Sequence, residues 1–452
     1  MSKTITIKKG LNLNIAGEAE KAIANIFSSC TCAVKPTDFK GMSPIPKLLQ
    51  QEGDMVKAGS PLFFDKTRPD IIITAPVSGK IIAIERGDKR AITSIIIEAD
   101  KEREYIQFDV KEPQELSREE IKQLLLKSGL WAFIRQRPYD IIANPEQTPK
   151  AIFISAFDTS PLAPDQDFIV HGKGDIFQLG LDAICKLTDG KTHLNIQADE
   201  TVSKVFLNSK GVQINKFRGP HPTGNVGIQI HHIDPINKGN VVWYLTPQDV
   251  LTIGRFFQKG IYDATRLVAL TGSEVKLPKY YKAHIGACVK NMLENNTTDI
   301  NKRIISGNVL TGKKIDADGH LCFYDTQLTV IPEGDYFEFL GWLMPGFNKL
   351  SISRTFPAFL FPKKKFRPDT NYHGEERAFV MSGQYEKVLP MDIYPVHLIK
   401  AILTNDIDKM EHLGIYEVSE EDFALCEFVC TSKIEVQDII RKGLDLIRKE
   451  ME

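Results

Sequence analysis

KAIFISAFDTSPLAPDQ, Lys150 to Gln166, is a run of buried-strand character followed by a turn without a single glycine. DIFQLGLDAICKLT comes next with apolar residues at helical spacing, and THLNIQA then reads as another strand. Strand and helix therefore alternate as in an open α/β sheet. Further on, NVVWYLTPQDVLTIGRFFQKG predicts a strand and then a helix, with Thr246 as N-cap, Pro247 at the first helical position and Gly260 just past the end. The missing glycines matter as much as the strands. A dinucleotide site needs them after the first strand, so that backbone can approach pyrophosphate at a helix N-terminus. The Gly-x-Gly at His171-Gly172-Lys173-Gly174 lies too late and lacks the remaining spacing, and no phosphate-loop pattern occurs.

Working outward, GDMVKAGSPLFFDKTRPDIIITAPVSGKIIAIERGDKRAITSIIIEAD from Gly53 shows short Val/Ile/Phe runs punctuated by turn dipeptides, a small barrel or sandwich ending near Asp100. LSREEIKQLLLKSGLWAFIRQR then opens a helix with Ser117 as N-cap and Glu120 three residues on. A third region from Arg266 predicts strand, turn, strand, a helix near His284 to Leu293, and further short strands in RIISGNVLTGKKI, HLCFYDT and LTVIPE, together a β-grasp module. The chain from Asp335 to Asn371 is aromatic, proline-rich and irregular, and from Pro395 it is helical. The fold class is thus multidomain α/β, divided as residues 1–100, 101–265, 266–334 and 335–452.

With 452 residues the chain has room for three or four cores. Its 57 basic and 58 acidic residues give a net charge of -1, so no footprint for nucleic acid appears. No apolar run is long enough to span a bilayer and the N-terminus lacks a signal-peptide core, so a soluble protein made in the cytoplasm is expected. Seven cysteines, few and odd in number, suit free thiols in a reducing compartment.

Several constellations bear on chemistry. FRGPHPTGNVGIQIHHIDP holds His221, His231 and His232. Adjacent histidines point apart in helix or strand, and the set lacks the i, i+4 pairing of a helical zinc site. No metal is expected; Pro220 and Pro222 stiffen the entry, Gly224 and Gly227 allow close backbone approach, and Val226, Ile228, Ile230 and Ile233 bury one side, a structural turn at a domain seam. Cys426 and Cys430 share a helix face but have no cysteine neighbours, too little for a cluster. Lys66 in FFDKTRPDII suggests the lysine of a lipoyl or biotin carrier, although Pro69 and two extra residues alter the hairpin, so a carrier-like fold without the arm is expected. EFLGWLMPGFNKLSISRTFPAFLFPKKKFRP sets aromatics beside Lys363, Lys364, Lys365 and Arg367, which suits a membrane interface, an apolar partner surface or a domain-packing segment. A quinone head needs an apolar slot with one or two donors. Trp131, Phe133 and Arg135, or Trp342, Met344 and Phe347, could supply it.

The N-terminal IKKGLNLNIAG, GDMVKAGSPLFFDK with APVSGKI, the Gly219-Pro220-His221-Pro222 element with Gly224 and IHHI, LTG of the third region, and GQYEKVLPMDIYP together resemble the A subunit of the bacterial sodium-translocating NADH:quinone reductases over essentially the full length. That family is similar in turn to the nucleotide-binding subunit of respiratory complex I and to the C subunit of Rnf complexes. The resemblance implies a lipoyl-like barrel-sandwich region, a Rossmann-like α/β region, a β-grasp (SLBB-like) module and a C-terminal helical region. It also implies a cytoplasmic peripheral component of a six-subunit complex, docked on membrane partners, the quinone-related B subunit above all, while the complex oxidises NADH, reduces ubiquinone or menaquinone and exports Na+. NADH entry, flavins and the iron-sulfur centre are then expected on other subunits, with no covalently bound cofactor here and quinone as a candidate ligand. Two other readings stay open: a flavin- or NADH-binding electron-input component, and a lipoylated or biotinylated carrier.

Overall fold

The computed structural model describes residues 4–24, 30–198, 202–341 and 343–451. Two short strands come first, β1 (Thr4–Thr6) and β2 (Glu20–Ile23), followed by β3 (Thr31–Val34), β4 (Lys47–Leu48), β5 (Met55–Val56), β6 (Pro61–Asp65), β7 (Arg68–Thr74), β8 (Gly79–Arg86) and β9 (Ile92–Ala99). A four-stranded sheet, β3-β9-β8-β5, and a three-stranded one, β4-β6-β7, make up the N-terminal sandwich. Leu62, Phe63, Ile71, Ile73, Ile81, Ile95 and Ile97 are fully buried between them. β6 and β7 are joined at Lys66 and Thr67, and Asp65 Oδ1 accepts from the Thr67 N–H at 3.0 Å. The two-residue link is tight despite Pro69, which falls within β7, so Lys66 does stand exposed at a hairpin tip.

Helix α1 (Arg118–Lys127) starts with a capping box in which Ser117 and Glu120 satisfy each other's backbone N–H groups. The α/β domain then lays down β10 (Arg135–Arg137), β11 (Ile141–Ile142), β12 (Ala151–Ser155), α2 (Gln166–Val170), α3 (Gly174–Cys185), β13 (Lys191–Gln197), α4 (Lys204–Leu207), β14 (Gln213–Arg218), α5 (Val226–Ile233), β15 (Val242–Leu245) and α6 (Pro247–Lys259). Its sheet runs β1-β14-β13-β12-β15-β10-β11, parallel from β1 to β15 with β10 and β11 added antiparallel. Alternation along β12 assigns the layers. Ile152 and Ile154 join the core containing Phe177 and Leu181 of α3 and Val250 of α6. Ala151 and Phe153 face Val226 and Ile230 of α5. Helices α3 and α6 approach backbone to backbone: a Cβ on Gly180 would meet Val250 O at 2.2 Å, and one on Gly254 would meet Ile176 O at 1.9 Å.

The third sheet combines β16 (Thr265–Thr271), β17 (Lys279–His284), β18 (Lys302–Ser306), β19 (Lys313–Ile315) and β20 (Gln327–Pro332) in the order β19-β18-β20-β16-β17-β2. The helix predicted near His284 to Leu293 is only one turn, α7 (Lys290–Leu293). His284 ends β17, and Gly286, at φ +71°, turns so tightly that a Cβ there would sit 2.0 Å from Ala33 O. HLCFYDT forms no strand either, its backbone being held by an isolated bridge from His320 to Cys288.

The C-terminal region holds α8 (Tyr385–Val388), α9 (Pro395–Leu403), α10 (Ile407–His412), α11 (Ala424–Phe428) and α12 (Val436–Met451). Leu398, Ile399 and Ile402 of α9 and Ile440, Leu444 and Ile447 of α12 share one core with Ile7, Phe217 and Ile228. The helices therefore cap the α5 side of the α/β sheet. All seven cysteines are unbridged, and Cys426 and Cys430 are buried in this core, Cys430 Sγ receiving the Tyr385 hydroxyl at 3.0 Å. Among the described residues no helix is long and apolar enough to cross a membrane.

Candidate functional site

Three features bear on chemistry in and around the α/β domain: the histidine-rich block, a partly buried ionic cluster and a cavity. The block is the turn from β14 into α5. Gly219, at φ +152°, passes so close to β1 that a Cβ would stand 2.4 Å from Ile7 O, and Gly224 faces Thr159 N at 2.6 Å in the same way. His221 is buried between them; its N–H donates to Asn12 Oδ1 (2.8 Å), its carbonyl accepts Leu11 N–H (2.9 Å), and Nδ1 meets Thr159 Oγ1 at 3.1 Å. Burial pushes the imidazole down to about 4, so it is neutral at pH 7. The neighbouring Pro220 and Pro222 carry the turn in which Thr223 N–H bonds Pro220 O and Asn225 N–H bonds Pro222 O.

His231 and His232 sit at the end of α5 and serve different partners. Asp392 N–H donates to His231 Nε2 (3.1 Å), so Nδ1 carries the proton and donates to Glu417 at 2.7 Å. His232 Nδ1 bonds Ile228 O, 2.8 Å away. The three rings thus serve three different partners, although those of His231 and His232, expected to point apart, meet edge to face at 5.1 Å between centroids, and no group of three or more potential metal ligands exists among the described residues. Where one buried side was expected, α5 has two: Val226 and Ile230 face the sheet, while Ile228 faces the C-terminal helices. Gln229 lies between, bonded to Ser155 Oγ and Asn195 (both 2.8 Å), and Asn195 and His193 both contact Asn215. A polar network buried this deeply specifies one arrangement, since any broken member is left unpaired.

At the other end of α5, a Cβ on Gly227 would be 2.4 Å from Asp422 Oδ2. Asp422 belongs to an ionic cluster drawn from three parts of the chain, with Arg137, Asp140 and Asp422 buried and Lys40 and Glu421 partly exposed. Arg137 of β10 contacts Glu421 (2.7 Å) and Asp422 (3.2 Å), Lys40 contacts Asp140 (2.5 Å) and Glu420 (3.2 Å), and the Tyr244 hydroxyl donates to Asp140. Burial opposes ionisation of Asp140, but Lys40 and Arg137 hold its carboxyl well below the usual range. Burial, with Asp422 and Asp140 adding to it against Arg137, pushes Glu421 up to about 7. Sequence spacing gave no sign of this cluster, whose members lie as many as 401 positions apart, from Lys40 to Arg441, which reaches Glu420 at 3.5 Å.

The cavity, about 670 Å³, opens where β12, β13 and β14 end. It is bounded by residues 156–167, by the N-terminal segment from Asn12 to Glu18, by Gly219, and by Lys363 and Lys365. Asp165 already caps α2 by accepting Phe168 N–H (2.8 Å) and pairs with Lys21, while Glu18 pairs with Lys365 at 3.2 Å. Carboxylates thus stand where a nucleotide-binding turn would present free N–H donors to phosphate. Ser160 Oγ and Gln166 Oε1 are buried beneath it without a partner, and neither His nor Cys lines it. Such a pocket can bind and orient a polar molecule, and Thr159 in its wall has its hydroxyl beside the His221 imidazole while also accepting Gly224 N–H at 2.9 Å.

The predicted quinone contacts separate. Trp131 and Phe133 are fully buried; the Trp131 indole donates to Ala143 O (2.8 Å) and meets Trp243 edge-on, and Phe133 stacks on Phe323. The Arg135 guanidinium is sandwiched between the Tyr244 and Tyr324 rings, 4.4 and 4.7 Å from their centroids. Met344 and Phe347 are exposed, and Trp342 lies outside the described residues. In the basic run, Lys364 holds Phe347 O and Asn348, and Arg367 pairs with the buried Glu274 at 2.6 Å.

Comparison with known sequences gives these features a family. Residues 5–100 match the NqrA N-terminal barrel-sandwich hybrid domain, 116–262 the NqrA second alpha/beta domain, and 267–317 the NQRA C-terminal (SLBB) domain. The A subunit of the Na(+)-translocating NADH-quinone reductase of Yersinia pestis bv. Antiqua (strain Angola) is 40% identical over 449 residues, covering 99% of this chain and 100% of that protein. The chain belongs to the NqrA family. The member from Rhodopirellula baltica is likewise 40% identical, over 98% of both chains. The family's domains account for the barrel-sandwich, the α/β sheet with the histidine block and the SLBB-type module, and the full-length relatives extend over the aromatic segment as well. A crystal structure of air-oxidized NAD+-reducing [NiFe]-hydrogenase overlaps 76% of this chain and 62% of its own, at 9% identity and a TM-score of 0.40.

Proposed function

We propose that the chain is the peripheral A subunit of a sodium-translocating NADH:quinone reductase. In that complex two electrons pass from NADH to ubiquinone or menaquinone, which also takes up two protons, and the free energy released drives Na+ export. The observation that carries this reading is identity of 40% along the whole length to relatives bearing that name. The chain works on the cytoplasmic face of the bacterial inner membrane and docks on the other five subunits, the membrane B subunit first. Flavins, the iron-sulfur centre and the NADH entry site belong to those partners. In support, the first βα turn offers carboxylates in place of free donors, and Cys426 with Cys430 is short of a cluster ligand set.

The division into residues 1–100, 101–265, 266–334 and 335–452 accompanies this proposal, with the second part Rossmann-like and the third β-grasp. β1 and β2 lend edge strands to the second and third sheets. For quinone, the exposed pair Met344 and Phe347 is the better candidate, since Trp131 and Phe133 could admit a ring only by displacing core. The histidine block acts as the seam between the α/β domain and the C-terminal helices.

The test is purification of the tagged chain from membranes of its host and, separately, of the chain alone. The reading expects NADH:quinone reductase activity dependent on Na+ in the first preparation and no visible chromophore in the second. Near-stoichiometric flavin on the isolated chain would favour an electron-input role instead.

A further inference from the structure

Between β20 and α8 the chain makes an excursion whose two ends are clamped. At the outgoing end Glu333 holds Arg303 (2.5 Å), Lys314 (3.1 Å) and Thr370 (2.6 Å), and the Tyr336 hydroxyl donates to Asp369, also at 2.6 Å. At the returning end Phe366 is buried, its N–H donating to Asn14 O (2.7 Å) and its carbonyl accepting Ala16 N–H (2.8 Å). A fixed neck therefore carries a flap that buries little of its apolar surface. Phe337 and Phe339 are 104% and 90% exposed, and Leu343, Met344, Phe347 and Leu360 are all more than half exposed. Isolated apolar residues on a surface are ordinary, but six so exposed within residues 337–360 point to an interaction site.

Charge identifies the occupant. From Tyr336 to Arg367 the flap has six basic residues, Lys349, Arg354, Lys363, Lys364, Lys365 and Arg367, against one acidic residue, Glu338, in a chain whose net charge is -1. Lys349 pairs with Glu338, Lys365 with Glu18 and Arg367 with Glu274. Arg354, which lies over the Phe359 ring, Lys363 and Lys364 have no carboxylate partner among the described residues. Exposed aromatics flanked by uncompensated cations match the two layers of an anionic leaflet, acyl boundary and headgroups. Among its described residues the flap has no helix or strand beyond a 3-10 turn, Pro357–Leu360, and isolated turn bonds such as Gly341 N–H to Glu338 O and Lys349 N–H to Gly346 O satisfy only part of its backbone. Unpaired N–H and C=O groups bar it from the hydrocarbon core and hold it at interfacial depth.

We infer that the flap from Tyr336 to Arg367 is a monotopic membrane contact, seating its aromatic tip in the interface of an anionic bilayer while Arg354, Lys363 and Lys364 meet lipid headgroups. The inference rests on the proposed function only in placing the chain at a membrane. It names lipid, rather than another protein of the complex, as what covers the apolar face.

The test is flotation of the purified full-length chain with phosphatidylcholine vesicles and with phosphatidylglycerol-rich ones. Binding to the anionic vesicles is expected, with little to the neutral ones. Substituting Arg354, Lys363 and Lys364 with Gln together should weaken the anionic binding about a hundredfold, at about fivefold per charge. Substituting Phe337, Phe339 and Leu343 with Ser should weaken it at least about tenfold with the melting temperature unchanged, because these side chains are already in solvent. If the wild-type chain ignores both vesicles, or if the Ser variant floats as well as wild type, the inference is wrong. So it is if the Ser variant loses co-purification with the other subunits while keeping its vesicle binding. Failure of the wild-type chain to co-purify with any partner would instead refute the proposed function and leave the vesicle result standing.

Discussion

Replacing Gly227 with Ala tests the seam directly. An added Cβ would lie 2.4 Å from Asp422 Oδ2, about 1 Å inside a comfortable carbon–oxygen contact. A free carboxylate would swing away, but Oδ2 accepts Ser419 N–H (3.0 Å) and Ser419 Oγ–H (3.1 Å) and meets Arg137 at 3.2 Å, all of them buried. Overpacking of this sort costs about 1–3 kcal/mol. If the carboxylate moves and leaves Arg137 partly unpaired, the total approaches the 3–5 kcal/mol of a broken buried pair; Glu421 and Asp140 remain nearby, so about 2–4 kcal/mol is expected. Because a chain of several domains need not unfold in one step, the readout is hydrogen exchange of the Ser419 amide, supported by limited proteolysis between the α/β domain and the C-terminal helices. Gly174→Ala is the control, since only Val205 Cγ2 comes within 4 Å of its added carbon. The same Gly227→Ala change made in an Asp422→Ala background should add less than about 1 kcal/mol, as a double-mutant cycle requires when the two groups collide. Gly227→Ala protection within about 0.5 kcal/mol of wild type would refute the account.

Two further predictions concern pH. Glu421 holds its proton up to about 7, above the ordinary carboxyl value, so the native state binds the proton more tightly than the unfolded chain. Stability therefore falls as pH rises from the ordinary carboxyl range through neutrality, and Glu421→Gln should flatten that limb of a melting-temperature profile; parallel profiles would dismiss it. His193, His221, His284 and His320 are each pushed by burial down to about 4. Their contribution is complete above about pH 6.5 and is lost as pH falls toward about 4, so acid unfolding over that window should take up several protons by linkage analysis, and uptake of fewer than one would refute it.

What the sequence made legible was local. The capping box at Ser117 and the Thr246, Pro247 and Gly260 boundaries of α6 are set by neighbouring residues, and both appear as read. The strand in Lys150–Phe157 was visible because a run buried on both faces needs no partner to be recognised. Long-range pairing was not. β1 has three residues and β2 four, too few for any periodicity, and their partners lie beyond residues 213 and 278. The stretch Val226-Gly227-Ile228-Gln229-Ile230 alternates like a strand, yet it is helical because Gly227 lets Asp422 approach the first turn and because both faces of the helix find a core. The ionic cluster and the cavity share that obscurity, since each gathers side chains from the N-terminal region, the α/β domain and the segment beyond residue 360.

One short segment links these places. Leu11 N–H bonds His221 O, Asn12 Oδ1 accepts His221 N–H, Asn14 O accepts Phe366 N–H, and Ala16 N–H returns to Phe366 O. Asn12, Leu13, Asn14 and Ile15 of this segment also wall the cavity, and Leu11 to Ala16 form a strap between the histidine block and the root of the flap. Asn12→Ala removes the side-chain acceptor of a buried N–H; because Asn12 itself is exposed, water can partly replace it, and the cost should be about 1 kcal/mol rather than the full penalty of an orphaned donor. If the strap acts as one unit, that cost appears as about fivefold faster hydrogen exchange at Leu11, at Phe366 and at Ala16 together. Acceleration at Leu11 with Phe366 and Ala16 unchanged would separate the flap root from the block and leave them as two independent contacts.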